Sequence, residues 1–275
     1  MSQFRTRFAP SPTGLLHLGH ALSAVLVRRA ADEAGGACLL RIEDVDVTRC
    51  KREFERAILD DLAWLGLRWD GEIRRQSEHF DDYLEVVSNL RDRGLVYRCF
   101  LSRQEISARF PDGIVRASAL SPAQEKERLA EGAPFAWRLS LDAARAEMGA
   151  LLFSALSYSV ETDGTRQTLA ARPEIHGDIA LTRKDSPAAY HLAACHDDAL
   201  QGITHVIRGE DLIDAPHIHT LLQALMDWPR PIYRHHRLLL GPDGKRLSKS
   251  HKSKSLAALR AEGLSRDDVL ALAGL

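Results

Sequence analysis

Near its N-terminus the chain changes hydrophobic period across a short break, and that change fixes the kind of fold that can follow. Residues 3 to 8 read as a strand, Pro10, Pro12 and Gly14 interrupt it, and Leu22, Val25 and Leu26 then recur at helical spacing. A strand that feeds a helix through a tight turn opens an α/β sheet, whose ligands gather at the carboxyl ends of its strands. In the run His17-Leu18-Gly19-His20 both histidines fall at the helix entrance. Unpaired backbone N–H groups and the helix dipole favour an anion there. Gly19 carries no side chain, so an adenine or ribose can approach the backbone closely. Phosphate is the natural guest. A single histidine at a helix start is more often a cap or a solvated residue, so the reading depends on the rest of the pattern.

The rest of the pattern repeats the unit. Ala37-Cys38-Leu39-Leu40-Arg41-Ile42 is a short apolar run suited to a strand buried on both faces of a parallel sheet. A helix follows from about Lys51, with Phe54, Ile58, Leu62 and Leu65 on one face, and another runs from roughly Glu78 to Arg93, closed by Gly94. From Tyr97 to Ser186 the alternation fades into shorter polar segments, with Phe135 to Leu139 strand-like. This stretch reads as an insertion between two halves of a doubly wound sheet. Alternation resumes with Tyr190 to Cys195, read as a strand, then Ile203 to Arg208, and a helix near Asp214 and Pro216. The expected division is 1–96 and 187–240 for the two halves, 97–186 for the insertion, and 241–275 for a basic loop and a C-terminal helical segment.

At 275 residues the chain has one or two domains, and its formal net charge of −1 rules out a global basic field. Any contact with nucleic acid must come from local patches. The strongest runs from Arg234 to Lys254, where seven Lys and Arg and three histidines face the single acid Asp243. No stretch approaches a membrane span and the polar opening is no signal peptide, so a cytoplasmic protein without a membrane partner is expected. Cys38, Cys50, Cys99 and Cys195 are widely separated, which argues against disulfides and against a metal-binding pair.

Three charged clusters close predicted strands: Arg7 with Ser11, Arg41-Ile42-Glu43-Asp44, and Arg208-Gly209-Glu210-Asp211. Each could be a plain ion pair at a strand end. Their shared position beside the histidine turn favours a ligand site instead.

The run Arg7-Phe8-Ala9-Pro10-Ser11-Pro12-Thr13-Gly14, the turn His17-Leu18-Gly19-His20 and, later, Arg246-Leu247-Ser248-Lys249-Ser250 resemble the signature motifs of class I aminoacyl-tRNA synthetases, and the first run resembles their glutamate-specific branch. The resemblance covers nearly the whole chain. It implies a doubly wound Rossmann-type parallel sheet with an inserted α+β subdomain and a short C-terminal signature-loop segment. It further implies that His17, Gly19, His20 and Lys249 bind ATP carrying Mg2+, and that His17, His20 and Lys249 catalyse adenylate formation. Arg7, Ser11, Glu43, Tyr190 and Arg208 would contact L-glutamate, Glu43 taking the ammonium and the arginines the carboxylates. A glutamate pocket needs such guanidinium forks and a counter-carboxylate.

The chain ends soon after the second motif, so no anticodon-binding domain is expected, as in the short paralogues of the branch that attach glutamate to queuosine in tRNA(Asp). A monomer acting on glutamate and queuosine-bearing tRNA(Asp) is expected. Many of those paralogues carry a zinc site in the insertion. Here Cys99-Phe100-Leu101 and Phe110 to Ile114 stand in the corresponding places, so zinc is expected to be absent and packing of Phe100, Phe110 and Trp137 to hold the insertion. Three alternatives stay open: a minimal synthetase charging a tRNA 3′ end, a small-molecule nucleotidyltransferase, and a non-catalytic RNA-binding paralogue.

Overall fold

The computed structural model describes residues 3–116, 120–239 and 254–275. The chain opens with β1 (Arg5–Phe8), α1 (Leu18–Glu33), β2 (Ala37–Ile42), α2 (Arg52–Trp64), β3 (Arg74–Arg75) and α3 (Phe80–Asp92). Next come β4 (Val96–Cys99), α4 (Arg103–Arg109), α5 (Pro122–Ala130), β5 (Ala136–Leu139), α6 (Leu141–Met148), α7 (Ala150–Ser154), β6 (Ser157–Thr162) and β7 (Thr165–Ala170). The last third holds α8 (Tyr190–Leu200), β8 (His205–Gly209), α9 (Ala215–Leu225), β9 (Ile232–His236), α10 (Leu256–Ala261) and α11 (Arg266–Leu272).

Strands β1, β2 and β3 pair in parallel, with Arg7 opposite Leu39 and Arg41 opposite Arg74. A second sheet has the order β7-β6-β9-β8, parallel at β6/β9 and β9/β8 and antiparallel at the β6–β7 hairpin. The two sheets meet where β1 runs beside β8. There Thr204 donates its N–H to the carbonyl of Arg5 and accepts from the N–H of Ile232 through its own carbonyl. The carboxyl ends of β1, β2 and β8 therefore converge, as the charged clusters at those ends require.

Helix α1 buries Ala21, Leu22, Ala24, Val25, Val27 and Ala31, a broad face in which alanines admit close packing on the sheet. Helix α2 is more one-sided: Ile58 and Leu62 point inward, as their i, i+4 spacing predicts. Helix α3 ends where Gly94 takes φ +72°, a conformation that costs a glycine little. One apolar core packs α1, α2, α10 and α11 around β1 and β2, and a second packs α3, α8 and α9 against β6 and β9.

One expected strand is a helix. Residues Tyr190 to Cys195 form the first half of α8, where Leu192, Ala193, Ala194 and Cys195 are all buried. A helix packed between neighbours on several sides shows the same continuous apolar run as a buried strand, and its period is hidden. The polar stretch after Tyr97 also differs in one respect from a detached unit. It forms the β4–β5 pair and several short helices, yet its last hairpin, β6–β7, joins the main sheet through β9. No helix among the described residues is long and apolar enough to cross a membrane.

Candidate active site

The histidine turn is built by helix capping. His17 is the N-cap of α1, with extended backbone at φ −129° and ψ 177°. Its Nδ1 accepts the N–H of Gly19 at 3.1 Å, and the Nδ1 of His20 accepts the N–H of His17 at 3.1 Å. The two rings lie 3.9 Å apart between centroids. Because both Nδ1 atoms accept, each neutral ring carries its proton on Nε2, which makes that atom a donor. A Cβ at Gly19 would stand 3.0 Å from Cε1 of His17, so the glycine leaves room for the ring to fold back over the helix end. Ser255 forms an antiparallel bridge with His17, and the N–H of Leu256 donates to the carbonyl of Leu16 at 2.8 Å. The start of α10 is thereby fastened to the turn.

The opposite wall is made of buried charge. Arg7 on β1 donates from Nε to Oδ1 of Asp198 on α8 at 2.8 Å. Arg41 on β2 is fully buried; its Nη1 lies 2.8 Å from the same Oδ1, and its Nη2 donates to Oε1 of Glu43 at 3.3 Å. Arg208 at the end of β8 donates from Nη1 to the hydroxyl of Tyr190 at 3.3 Å and from Nε to Nε2 of His235 at 3.4 Å. Its guanidinium lies 5.2 Å from the ring centroid of Tyr233. The Nη2 of Arg208 is buried and has no hydrogen-bond partner among the described residues. A buried guanidinium donor in that state favours an acceptor.

Burial pushes the Glu43 carboxyl above the ordinary range, and the charges of Arg41 and Arg7 offset this only in part. Burial acts on Asp198 in the same direction, but Arg7 and Arg41 override it and hold that carboxyl below its ordinary value. Asp197, also fully buried, accepts from Arg74, Gln76 and Tyr83 at 2.9 Å each and pairs with His196 at 3.0 Å. With Asp197 matched by Arg74, the wall holds the guanidiniums of Arg7, Arg41 and Arg208 and the carboxylates of Glu43 and Asp198. Asp197 also lies 4.0 Å from Nε of Arg41, and Asp211 joins Glu43, Arg7 and Arg208 in lining the cavity, so the site sets cations and carboxylates side by side, as a ligand carrying both signs requires.

Eight of the nine residues assigned from the sequence, Arg7, Ser11, His17, Gly19, His20, Glu43, Tyr190 and Arg208, line one cavity of about 390 Å³. Lys249 lies outside the described residues. A second cavity, of about 320 Å³, adjoins the first and shares Ser11, Thr13, Glu43 and Tyr190 with it. Sequence reasoning gave no role to Asp198, Asp197 or His235. A pair of adjacent acids separated from the apolar run Leu192 to Cys195 only by His196 was the available signal, since buried acids imply buried partners. Among the described residues no three His, Cys, Asp or Glu side chains converge as a metal site. Cys99 is buried on β4 opposite Ala136, and the neighbouring packing is aromatic: Phe135 lies 5.4 Å from both Phe100 and Trp137, with Arg98 over the Trp137 ring at 4.7 Å.

The chain, whose parallel sheet carries a histidine-capped helix on one side of the cavity and guanidiniums on the other, belongs to the class I aminoacyl-tRNA synthetases. The family model "tRNA synthetases class I (E and Q), catalytic domain" matches residues 3–274. Over 98% of its length the chain is 42% identical to the Glutamyl-Q tRNA(Asp) synthetase of Rhodobacter capsulatus, of which it covers 99%. It is 38% identical to the Glutamate--tRNA ligase of Aquifex aeolicus, matching 96% of this chain but spanning 55% of that protein. A solved glutamate tRNA ligase from Elizabethkingia meningosepticum, in complex with its amino acid, superposes on the whole chain with a TM-score of 0.74 at 25% identity; the match spans 61% of that structure.

Proposed function

We propose that the chain activates L-glutamate with ATP and transfers the glutamyl group to queuosine in the anticodon loop of tRNA(Asp). The observation that carries this reading is the end-to-end match, 42% identical, to a protein named Glutamyl-Q tRNA(Asp) synthetase, with a cavity lined by Arg7, Arg208 and Glu43. In the first step an oxygen of the glutamate α-carboxylate attacks the α-phosphorus of ATP. The bond from that phosphorus to the bridging oxygen breaks, and pyrophosphate leaves. In the second step a hydroxyl of the acceptor attacks the acyl carbon, loses its proton, and AMP leaves. No side-chain nucleophile is required, so the protein contributes position and charge stabilisation.

In this reading the Nε2 donors of His17 and His20 hold the phosphates at the entrance of α1, and Lys249 draws charge off the departing pyrophosphate. Arg208, with its unpartnered Nη2, and Arg7 take the carboxylates, and Glu43 takes the ammonium. Ser11 and Tyr190 supply hydroxyls at the cavity wall, and Gly19 keeps the approach to the backbone open. Mg2+ arrives on ATP, held by phosphate oxygens and water. The enzyme works as a monomer in the cytoplasm, and its insertion holds no zinc. Elemental analysis finding one zinc per chain would overturn the last point.

Labelled glutamate, ATP and either queuosine-containing or queuosine-deficient tRNA(Asp) test the assignment. Labelling only of the modified tRNA, surviving removal of the 3′-terminal adenosine, is expected. Equal charging of both tRNAs, abolished by that removal, identifies a 3′-end ligase instead. Glutamine should support little ATP–pyrophosphate exchange, because a neutral amide leaves the guanidinium unmatched, at a cost of roughly 2 to 5 kcal/mol.

A further inference from the structure

Asp198 does not line either cavity, yet it touches two of the guanidiniums behind them. We propose that Asp198 is a positioning residue, which fixes Arg7 directly and Glu43 through Arg41, and so sets the distance between the carboxylate and ammonium subsites of the glutamate pocket. The inference rests on the glutamate reading above and deepens it.

The geometry is a buried chain of alternating charge: Arg7, Asp198, Arg41, Glu43. One oxygen of Asp198, Oδ1, receives both guanidiniums at 2.8 Å. It occupies the Nε edge of Arg7 and leaves that residue's Nη groups for the cavity. Arg41 lines neither of the two cavities, and Nη1 is further fixed by Oε1 of Gln201 at 2.9 Å. Its remaining Nη2 reaches Glu43, whose carboxylate does face the cavity. With Asp198 ionised, two cations are matched by two anions and Glu43 shares its charge with the site. Without that charge Arg41 would be left to Glu43 and to Asp197, 4.0 Å from its Nε, and Glu43 would be drawn towards it, away from a ligand ammonium. The bonds that cap α1, from Gly19 to His17 and from His17 to His20, include no member of this charge chain, so the turn should not register the change.

The test is Asp198→Asn in the full-length protein, read by glutamate-dependent ATP–pyrophosphate exchange. The glutamate KM should rise roughly 10- to 100-fold, the scale of losing one set of charge-assisted hydrogen bonds, while the ATP KM stays within about twofold. A lower folded fraction would instead reduce kcat with both KM values unchanged, and that result overturns the proposal. If D198N does not accumulate as folded protein, Arg41→Lys carries the test, because it keeps the charge and loses the planar fork. It too should raise the glutamate KM selectively, by roughly 10-fold, and an unchanged value overturns the proposal. Wild-type protein that shows no glutamate-dependent exchange would sink the glutamate reading itself. Wild-type exchange together with a variant of unaltered glutamate KM sinks only the role of Asp198.

Discussion

The two ends of the main cavity are built in opposite ways. At the helix entrance, half-buried His17 and His20 are held by hydrogen bonds that span two and three residues of sequence. At the other end, buried Arg7 is held by Asp198, 191 positions away, and Arg41 by Gln201, 160 positions away. The first end forms with its helix. The second exists only when β1, β2, α8 and β8 have all docked, and there Arg7, Arg41, Glu43 and Asp198 depend on one another because burial makes an unmatched charge expensive. The difference teaches a division of labour: the entrance should govern the chemical step on ATP, and the wall should govern which amino acid binds.

That division breaks most visibly at Arg208. Arg208→Gln removes the unpartnered donor and one of three guanidiniums, so kcat/KM for glutamate should fall by roughly 2 to 5 kcal/mol, mostly through KM, in steady-state exchange. Next in size is His20→Ala, expected to lower kcat by roughly 3 kcal/mol, near what one preorganised donor contributes, with the glutamate KM little changed. A rise in glutamate KM as large as that of the Arg208 variant would end the distinction between the two ends.

Smaller effects sharpen it. Burial lowers the pKa values of His191, His205 and His235 to about 4, helped by His176 and Arg208 at the first, Arg234 at the second and Arg208 at the third. Between the ordinary imidazole value near 6.5 and about 4 the unfolded chain therefore binds protons that the folded chain refuses. Stability should fall as pH drops through that window, by about 1 kcal/mol per pH unit after allowance for solvent screening, in urea titrations at fixed salt. Smallest is Gly19→Ala, where the new methyl meets the His17 ring. It should cost about 1 kcal/mol of stability, as a weakened cap does, and lower kcat without moving the glutamate KM.

The same contrast explains what could be read from the sequence. The strand, turn and helix around His17 and His20 are local, and both the break at Pro10, Pro12 and Gly14 and the closure of α3 at Gly94 carry their geometry in the residue types themselves. Arg7, Glu43 and Arg208 were visible as charges at strand ends, and the structure brings them to one cavity. Asp198 was not visible. It lies just past the Tyr190 to Cys195 run read as a strand, and its importance comes from Arg7 and Arg41, which no pattern within α8 announces. Tyr190 was assigned to the site, but its element was misread because α8 is buried along a continuous run.

The pairing of β6 with β9 sets a rule for anyone redesigning the acceptor specificity. Cutting the chain at the compositional boundaries 97 and 186 would look like removing a cassette, but it would also take out β6 and β7, half of a four-stranded sheet whose other members carry Arg208 and His235. A transplantable module must therefore stop before Ser157, leaving the hairpin behind as part of the host. The same stitching makes the hairpin a lever. A load applied there reaches β8, and with it the guanidinium wall, through β9, the strand between them.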